Sequence, residues 1–401
     1  MVWNYENTHL VHVELSNRCN AACPLCPRYV NHSLRVNPEL DLGSVSLDSF
    51  KKWFPLDFVQ RSKSWIFCGT NGDPMMAKDA YEIVEYVAKN SEAKIQINTN
   101  GSMRDVAFWK KMGTLLAEPC VNSRYVVFSV DGLEDTNHIY RRNVKWENVM
   151  KNMKSYIKSG ALGLWDFLIF KHNEHQLVEA EALAKTIGVT FSPKRPFGFD
   201  THEPDTYQDM MVYDEEGNFI YKIEPASEEF RLNKSIKKFE ISEDKIWLPT
   251  KDKRTKESIE KKWDETIKNN LNDFKFPERF KGKSVSCKSC HKIGMEIYVD
   301  CKGNVMPCCF VGTMYNSNFE NKETLQIRKE INNYGLNKIS LNDYSLNEIL
   351  DSDYLEVVFA SRWENAKSDD DKMVYCFNTC SVNHIENLFI KKDDLPITPL
   401  T

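Results

Sequence analysis

Residues 10–28 read LVHVELSNRCNAACPLCPR. Residues 10–15 form a short apolar run with the Val-rich texture of a buried strand. That run leads straight into a loop holding Cys19, Cys23 and Cys26 in the spacing C-x3-C-x2-C. Ligands of α/β folds bind in the loops after strands, so three thiols lie where chemistry is expected. Three thiolates on one tight loop can wrap a corner of a cubane iron–sulfur cluster, each binding a different iron. The fourth iron then lacks a local protein ligand and stays open to a substrate or cosubstrate. A zinc site more usually shows C-x2-C pairs totalling four ligands. A disulfide would leave one thiol over.

Working outward, apolar runs recur at 65–68, 94–97, 125–130, 165–170 and 189–191, rich in Val, Ile and Phe. Between them, 47–60, 79–90, 103–116, 146–159 and 175–187 have helical periodicity. In the last of these Leu177, Ala180, Ala184 and Ile187 line one face. Gly160 and Gly188 sit where helix stops belong. Six strands alternating with helices predict parallel β/α units with right-handed crossovers. Periodicity alone does not choose between an open doubly wound sheet and a barrel.

The chain has 401 residues, 41% hydrophobic and 28% charged, the texture of a globular protein. Its net charge of −5 offers no broad basic field for nucleic acid or an anionic membrane. No apolar run approaches the ~18 residues of a membrane span. Residues 1–15, MVWNYENTHLVHVEL, carry neither the basic nor the apolar part of a secretory signal. A cytoplasmic, reducing location is therefore expected, and there clustered cysteines are metal ligands or catalytic thiols rather than disulfides.

The 12 cysteines are unevenly placed, and 121–286 holds none. Residues 199–284 are densely charged; 212–224 reads as a hairpin turning near Glu216 and Gly217, and 255–274 as an amphipathic helix. This segment is a charged insertion, a linker or a cap. A second cysteine region follows, with Cys290 and Cys308 in C-x12-G-x4-C around Gly303. Residues 296–299 and 304–306 read as two strands of a hairpin. Cys376 and Cys380 form a later C-x3-C pair that could complete four ligands. Cys287, Cys301 and Cys309 are rival ligands. Cys287-x2-Cys290 beside His291 also suits zinc. Cys68 and Cys120 are expected to be buried small residues. His12 is expected to be a satisfied core histidine, and Phe108, Trp109 and Trp363 to be packing. Asp369–371 reads as a solvated acidic turn.

The first cluster resembles the signature of the radical SAM superfamily, and further elements stand in the family's order. Strand two ends in CGTNGDPMM, where Gly72, Asp73 and Pro74 match the position that holds the amino group of S-adenosylmethionine. Strand three ends in NTNG, which includes Asn100. Strand four ends in FSVDG, with Ser129 and Asp131 placed like ribose- and methionine-contacting residues. The YRR of 140–142 offers Arg141 for the methionine carboxylate. Leu25 stands before the third cysteine, where many relatives have an aromatic near the adenine. The resemblance implies a partial (β/α)6 TIM-like barrel over 8–198, with the 199–284 insertion after it.

The later cysteines resemble the twitch domain, the shortened relative of the SPASM domain. That resemblance implies a small C-terminal α+β domain over 285–385, followed by a tail at 386–401. It also implies one auxiliary [4Fe–4S] cluster on Cys290, Cys308, Cys376 and Cys380. The cofactors implied are S-adenosylmethionine and a [4Fe–4S] cluster on Cys19, Cys23 and Cys26, with a flavodoxin- or ferredoxin-type electron donor. Lys171, His172, Lys194 and Arg195 follow strands five and six and could bind an anionic substrate group. The expected reaction is hydrogen abstraction by a 5′-deoxyadenosyl radical from a polar small molecule. A peptide-modifying maturase is the alternative, and a non-catalytic iron–sulfur or zinc protein is the reading from a different class.

Overall fold

The computed structural model describes residues 3–196, 206–231, 237–239, 242–246, 248, 285, 295–317, 321–363 and 372–380. Cys287, Cys290, His291, the 255–274 helix and the 369–371 turn lie outside the described residues. Strands β1 to β6 alternate with helices in chain order. The fold class is α/β, with the alternation of a partial (β/α)6 TIM-like barrel. The chain divides into two compact units, each built from separated segments.

The first unit contains residues 1–18, 37–95 and 251–384. It holds β1 (Leu10–Val13), α1 (Leu47–Trp53), α2 (Leu56–Arg61), β2 (Ser64–Phe67) and α3 (Ala80–Asn90). One helix was expected over 47–60, and the structure makes two. Pro55 lacks an N–H and biases Phe54 away from the helical region, so α1 stops and α2 restarts. Trp65 of β2 is fully buried among Phe50, Phe54 and Phe58, with ring centroids 5.4, 4.9 and 6.3 Å away.

The expected hairpin forms as β11 (Glu296–Val299) and β12 (Val305–Met306), paired antiparallel. Asp300 shapes its turn, accepting hydrogen bonds from the Lys302 and Asn304 amides at 2.9 Å. Gly303 sits there at φ +86°, where a Cβ would also strike the Trp53 ring at 2.8 Å. The sequence gave no warning of what the hairpin does next. β11 pairs parallel with β1, Leu10 opposite Glu296 through Val13 opposite Val299. β1 is thereby flanked by β2 and β11, and Val11, His12 and Val13 are all buried. Helices α8 (Cys309–Asn316), α9 (Lys322–Tyr334), α10 (Leu346–Leu350), α11 (Tyr354–Val358) and α12 (Val374–Cys380) complete the described part.

The second unit contains residues 19–36 and 96–250. The division falls within β3 (Lys94–Thr99). Then come α4 (Val106–Leu116), β4 (Arg124–Ser129), α5 (Asn137–Tyr140), α6 (Trp146–Ile157), β5 (Leu162–Leu168), α7 (Leu177–Ile187) and β6 (Thr190–Lys194). β3, β4, β5 and β6 are neighbours in that order, and β4–β5 and β5–β6 are parallel. Trp109 of α4, Phe128 of β4 and Tyr156 of α6 interlock with centroids 5.3–6.1 Å apart, joining helices to strands. Gly188 ends α7 in the left-handed region at φ +88°, as its place in the sequence predicted.

Two strand pairs lie beyond β6. β7 (Thr206–Gln208) pairs parallel with β10 (Lys237–Phe239). β8 (Met210–Tyr213) and β9 (Phe219–Ile223) form the expected hairpin, with Gly217 at φ +83° in its turn. Among the described residues no helix is long and apolar enough to cross a membrane.

Candidate functional site

The cysteine loop belongs to the second unit, and its shape comes from short local bonds. The Cys26 amide donates to the Cys23 carbonyl and the Tyr29 amide to the Cys26 carbonyl, both at 3.0 Å. The Tyr29 hydroxyl reaches back to the Ala21 carbonyl at 2.8 Å, and the Ala22 amide donates to the Arg142 carbonyl at 2.9 Å. Cys23 is buried, and Cys19 and Cys26 are half-buried.

Hydrogen-bond donors point at two of the sulfurs. Asn100 Nδ2 lies 3.8 Å from Cys19 Sγ, and the Ala21 amide donates to the same sulfur at 3.4 Å. Arg141 Nη1 donates to Cys23 Sγ at 3.5 Å. Asn100 also donates to Asn20 Oδ1 at 2.9 Å, and Asn20 Nδ2 donates to Ser102 Oγ at 2.7 Å. Asn20 and Ser102 carried no signal beyond lying beside the Cys19 and NTNG motifs. Burial pushes the Cys23 thiol up, with Arg141 pulling it back. Burial, aided by the charge of Cys23, pushes Cys26 up to about 12. Such thiols ionise when a metal ion takes the place of the proton.

Asp131, expected to contact S-adenosylmethionine, is fully buried with both oxygens engaged. Oδ2 accepts from Arg141 Nε at 2.5 Å and Oδ1 from the Leu168 amide at 2.6 Å. Asn137 and Asn173 grip its backbone amide and carbonyl at 2.9 and 3.0 Å. Burial opposes the Arg141 charge, but Asp131 and Cys23 outweigh it and hold the guanidinium protonated. Asp131 therefore positions Arg141 against Cys23. Leu25 and Ser129 are half-buried.

Gly72, Asp73 and Pro74 lie in the first unit. A Cβ on Gly72 would stand 2.0 Å from the Ser16 carbonyl oxygen, so only glycine lets the two backbones meet there. The Asp73 amide donates to the Arg18 carbonyl at 2.9 Å, and Asp73 Oδ1 caps the short 3-10 turn Pro74–Met76 through the Met75 amide. Sequence reading missed the support behind this loop. Glu14 Oε1 accepts from the Asn71 amide at 2.7 Å, Tyr298 donates to Glu14 Oε2 at 3.1 Å, and its hydroxyl lies 3.0 Å from Thr70 Oγ1. Burial pushes the Glu14 carboxyl up to about 7. His12 is buried as expected, its Nε2 2.9 Å from the Cys68 carbonyl, and burial lowers it to about 4.

The four cationic substrate candidates are largely spoken for. Lys171 is exposed and bonded to Glu174 and Ser227 at 2.6 and 2.7 Å. Arg195 Nε donates to the Phe230 carbonyl at 2.8 Å, and Lys194 pairs with Asp166 at 2.5 Å. His172 stacks on Phe170 at 5.2 Å. Cys68 and Cys120, expected to be buried, are half-buried. Cys308 and Cys380 are half-buried and Cys376 is buried. Among the described residues no three His, Cys, Asp or Glu side chains are gathered as ligands of one metal ion.

Residues 13–184 match the radical SAM superfamily. The chain carries a radical SAM domain. That domain covers the cysteine loop, the Gly72–Pro74 loop and all the donors around Cys19 and Cys23 described above. Solved structures similar to the chain include SuiB of Streptococcus suis bound to S-adenosylmethionine, with 13% identity, TM-score 0.40, and coverage of 76% of this chain and 61% of that one. SuiB bound to its precursor peptide SuiA is similar at 13% identity and TM-score 0.47, covering 98% and 76%. The enzyme anSMEcpe with bound AdoMet is similar at 14% identity and TM-score 0.44, covering 87% and 79%. The chain thus spans 61% of the S-adenosylmethionine-bound SuiB. No curated protein matches the sequence.

Proposed function

We propose that this chain cleaves S-adenosylmethionine reductively and uses the 5′-deoxyadenosyl group to take hydrogen from a C–H bond of a polar small molecule. The observation that supports this most strongly is the buried C-x3-C-x2-C loop with donors aimed at Cys19 and Cys23 sulfurs. The donor set suits a [4Fe–4S] cluster: three thiols on one loop, spread rather than gathered round a single ion. Such a cluster, when bound, supplies one electron that breaks the C5′–S bond to leave methionine and a 5′-deoxyadenosyl radical.

The remaining work belongs to the chain's own residues. Cys19, Cys23 and Cys26 hold the cluster, while Arg141, Asn100 and the Ala21 amide tune it through hydrogen bonds to sulfur. Gly72, Asp73 and Pro74 hold the amino group of S-adenosylmethionine, and Leu25 packs near the adenine. Ser129 contacts the ribose. Cys290, Cys308, Cys376 and Cys380 hold one auxiliary [4Fe–4S] cluster in a twitch-like domain. A flavodoxin- or ferredoxin-type protein supplies electrons in the cytoplasm.

Anaerobic reconstitution tests the assignments. About eight irons per chain are expected for two cubanes, and replacing Cys19, Cys23 and Cys26 with Ala should leave about four. S-adenosylmethionine should change the electron paramagnetic resonance spectrum of the reduced wild type and leave that of the triple variant unaltered. Zinc retained in place of iron contradicts the cluster assignments.

A further inference from the structure

The strands of the second unit have two different faces. Phe128, Trp165 and Phe167 are fully buried, and Trp165 packs on Trp146 of α6 at 6.1 Å, so this face meets the helices. Alternate residues point the other way. Ser129, Asp166 and Ser192 are register partners on β4, β5 and β6, so they share that opposite face in one row. Lys194, opposite Leu168, reaches back to Asp166 Oδ2 at 2.5 Å. Tyr125, Gln96 and Asn98 extend the polar surface: the Tyr125 hydroxyl donates to Gln96 Oε1 at 2.6 Å, and Gln96 donates to Asn98 Oδ1 at 2.9 Å.

A packed barrel interior would hold Val, Ile and Leu at such positions. This one holds an ion pair and hydroxyls. The Asp166 side chain is only 13% exposed, yet Oδ1 is buried with no hydrogen-bond partner. Leaving a buried acceptor unpaired is costly, which makes it a place for a ligand's donor. Lys194 already balances the Asp166 charge, so a neutral donor fits better than a second cation. A hydroxyl can donate to Asp166 and accept from a neighbouring serine at once.

We propose that Asp166, with Ser129, Ser192 and Lys194, binds an aliphatic hydroxyl of a polyhydroxylated small-molecule substrate, Asp166 Oδ1 accepting the hydrogen bond. The inference rests on the radical reading above and names the substrate class for it.

The test uses reconstituted, dithionite-reduced holoenzyme with S-adenosylmethionine and perdeuterated glycerol, ribose or myo-inositol. Perdeuterated leucine serves as the apolar comparison. Mass spectrometry reads the fraction of 5′-deoxyadenosine that has gained deuterium. At least one polyol should label it, and leucine should not. Asp166→Asn and Ser192→Ala should each lower the labelled fraction at sub-saturating polyol, Asp166→Asn by about tenfold, the size of one lost charged hydrogen bond. Circular dichroism confirms that each variant folds. Label from no polyol, label from leucine alone, or an unchanged fraction in both variants overturns the inference. No 5′-deoxyadenosine at all from the wild type overturns the radical reading itself, which is a distinguishable result.

Discussion

Arg141 joins Cys23 to Asp131: Nη1 lies 3.5 Å from Cys23 Sγ, and Nε lies 2.5 Å from Asp131 Oδ2. The Asp131 side chain is fully buried and that of Arg141 is 17% exposed, so neither charge has water to fall back on. Replacing Arg141 with Met leaves a buried carboxylate without its partner. The expected loss of stability is about 3–5 kcal/mol, measured by urea unfolding. In reconstituted protein the reduction potential of the Cys19 cluster should also become more negative, since a positive donor to sulfur is gone.

Glu14 gives a pH dependence with a definite sign. Its carboxyl sits at about 7 in the folded chain against 4.5 in the unfolded one, chiefly through burial. A raised carboxyl contributes stability that is fully present below the unfolded value and is lost as pH rises through about 7. Glu14→Gln can keep the bond from the Asn71 amide and cannot ionise. Relative to the variant, the wild type should lose about 3 kcal/mol between pH 4.5 and 7.5, read by urea unfolding at several pH values. A difference that stays flat over that range contradicts the assignment.

Gly72→Ala places a methyl 2.0 Å from the Ser16 carbonyl oxygen and 2.6 Å from Asn17 Cα, both backbone atoms that cannot swing aside. The loop must move, carrying Asp73 and Pro74 with it. Equilibrium dialysis should show S-adenosylmethionine binding at least about tenfold weaker, a loss of about 1.4 kcal/mol. Unaltered affinity would mean that this loop does not hold the amino group.

Trp65→Ala opens a hole among three phenylalanines in the first unit. The expected cost is about 3–5 kcal/mol in urea unfolding.

Much of the fold was legible because it is local. The apolar runs became strands and the Asp300–Gly303 turn became a hairpin, since periodicity and turn chemistry act within a few residues. The parallel pairing of β11 with β1 was not legible, because 286 residues separate Leu10 from Glu296 and no local pattern encodes that meeting. The cysteine loop was readable from spacing. Asp131 was read as a ligand contact, whereas its burial turned it inward to Arg141 and Leu168. Asp166 did carry a signal, an acid in the apolar run GLWDFLIF, but only the register with Ser129 and Ser192 gave it meaning.

The central claim is tested most directly by product analysis under anaerobic conditions. Reconstituted protein, dithionite and S-adenosylmethionine should yield 5′-deoxyadenosine and methionine in equal amounts, and Cys23→Ala should yield neither. No 5′-deoxyadenosine from the fully reconstituted wild type, or the same yield from Cys23→Ala, contradicts the account.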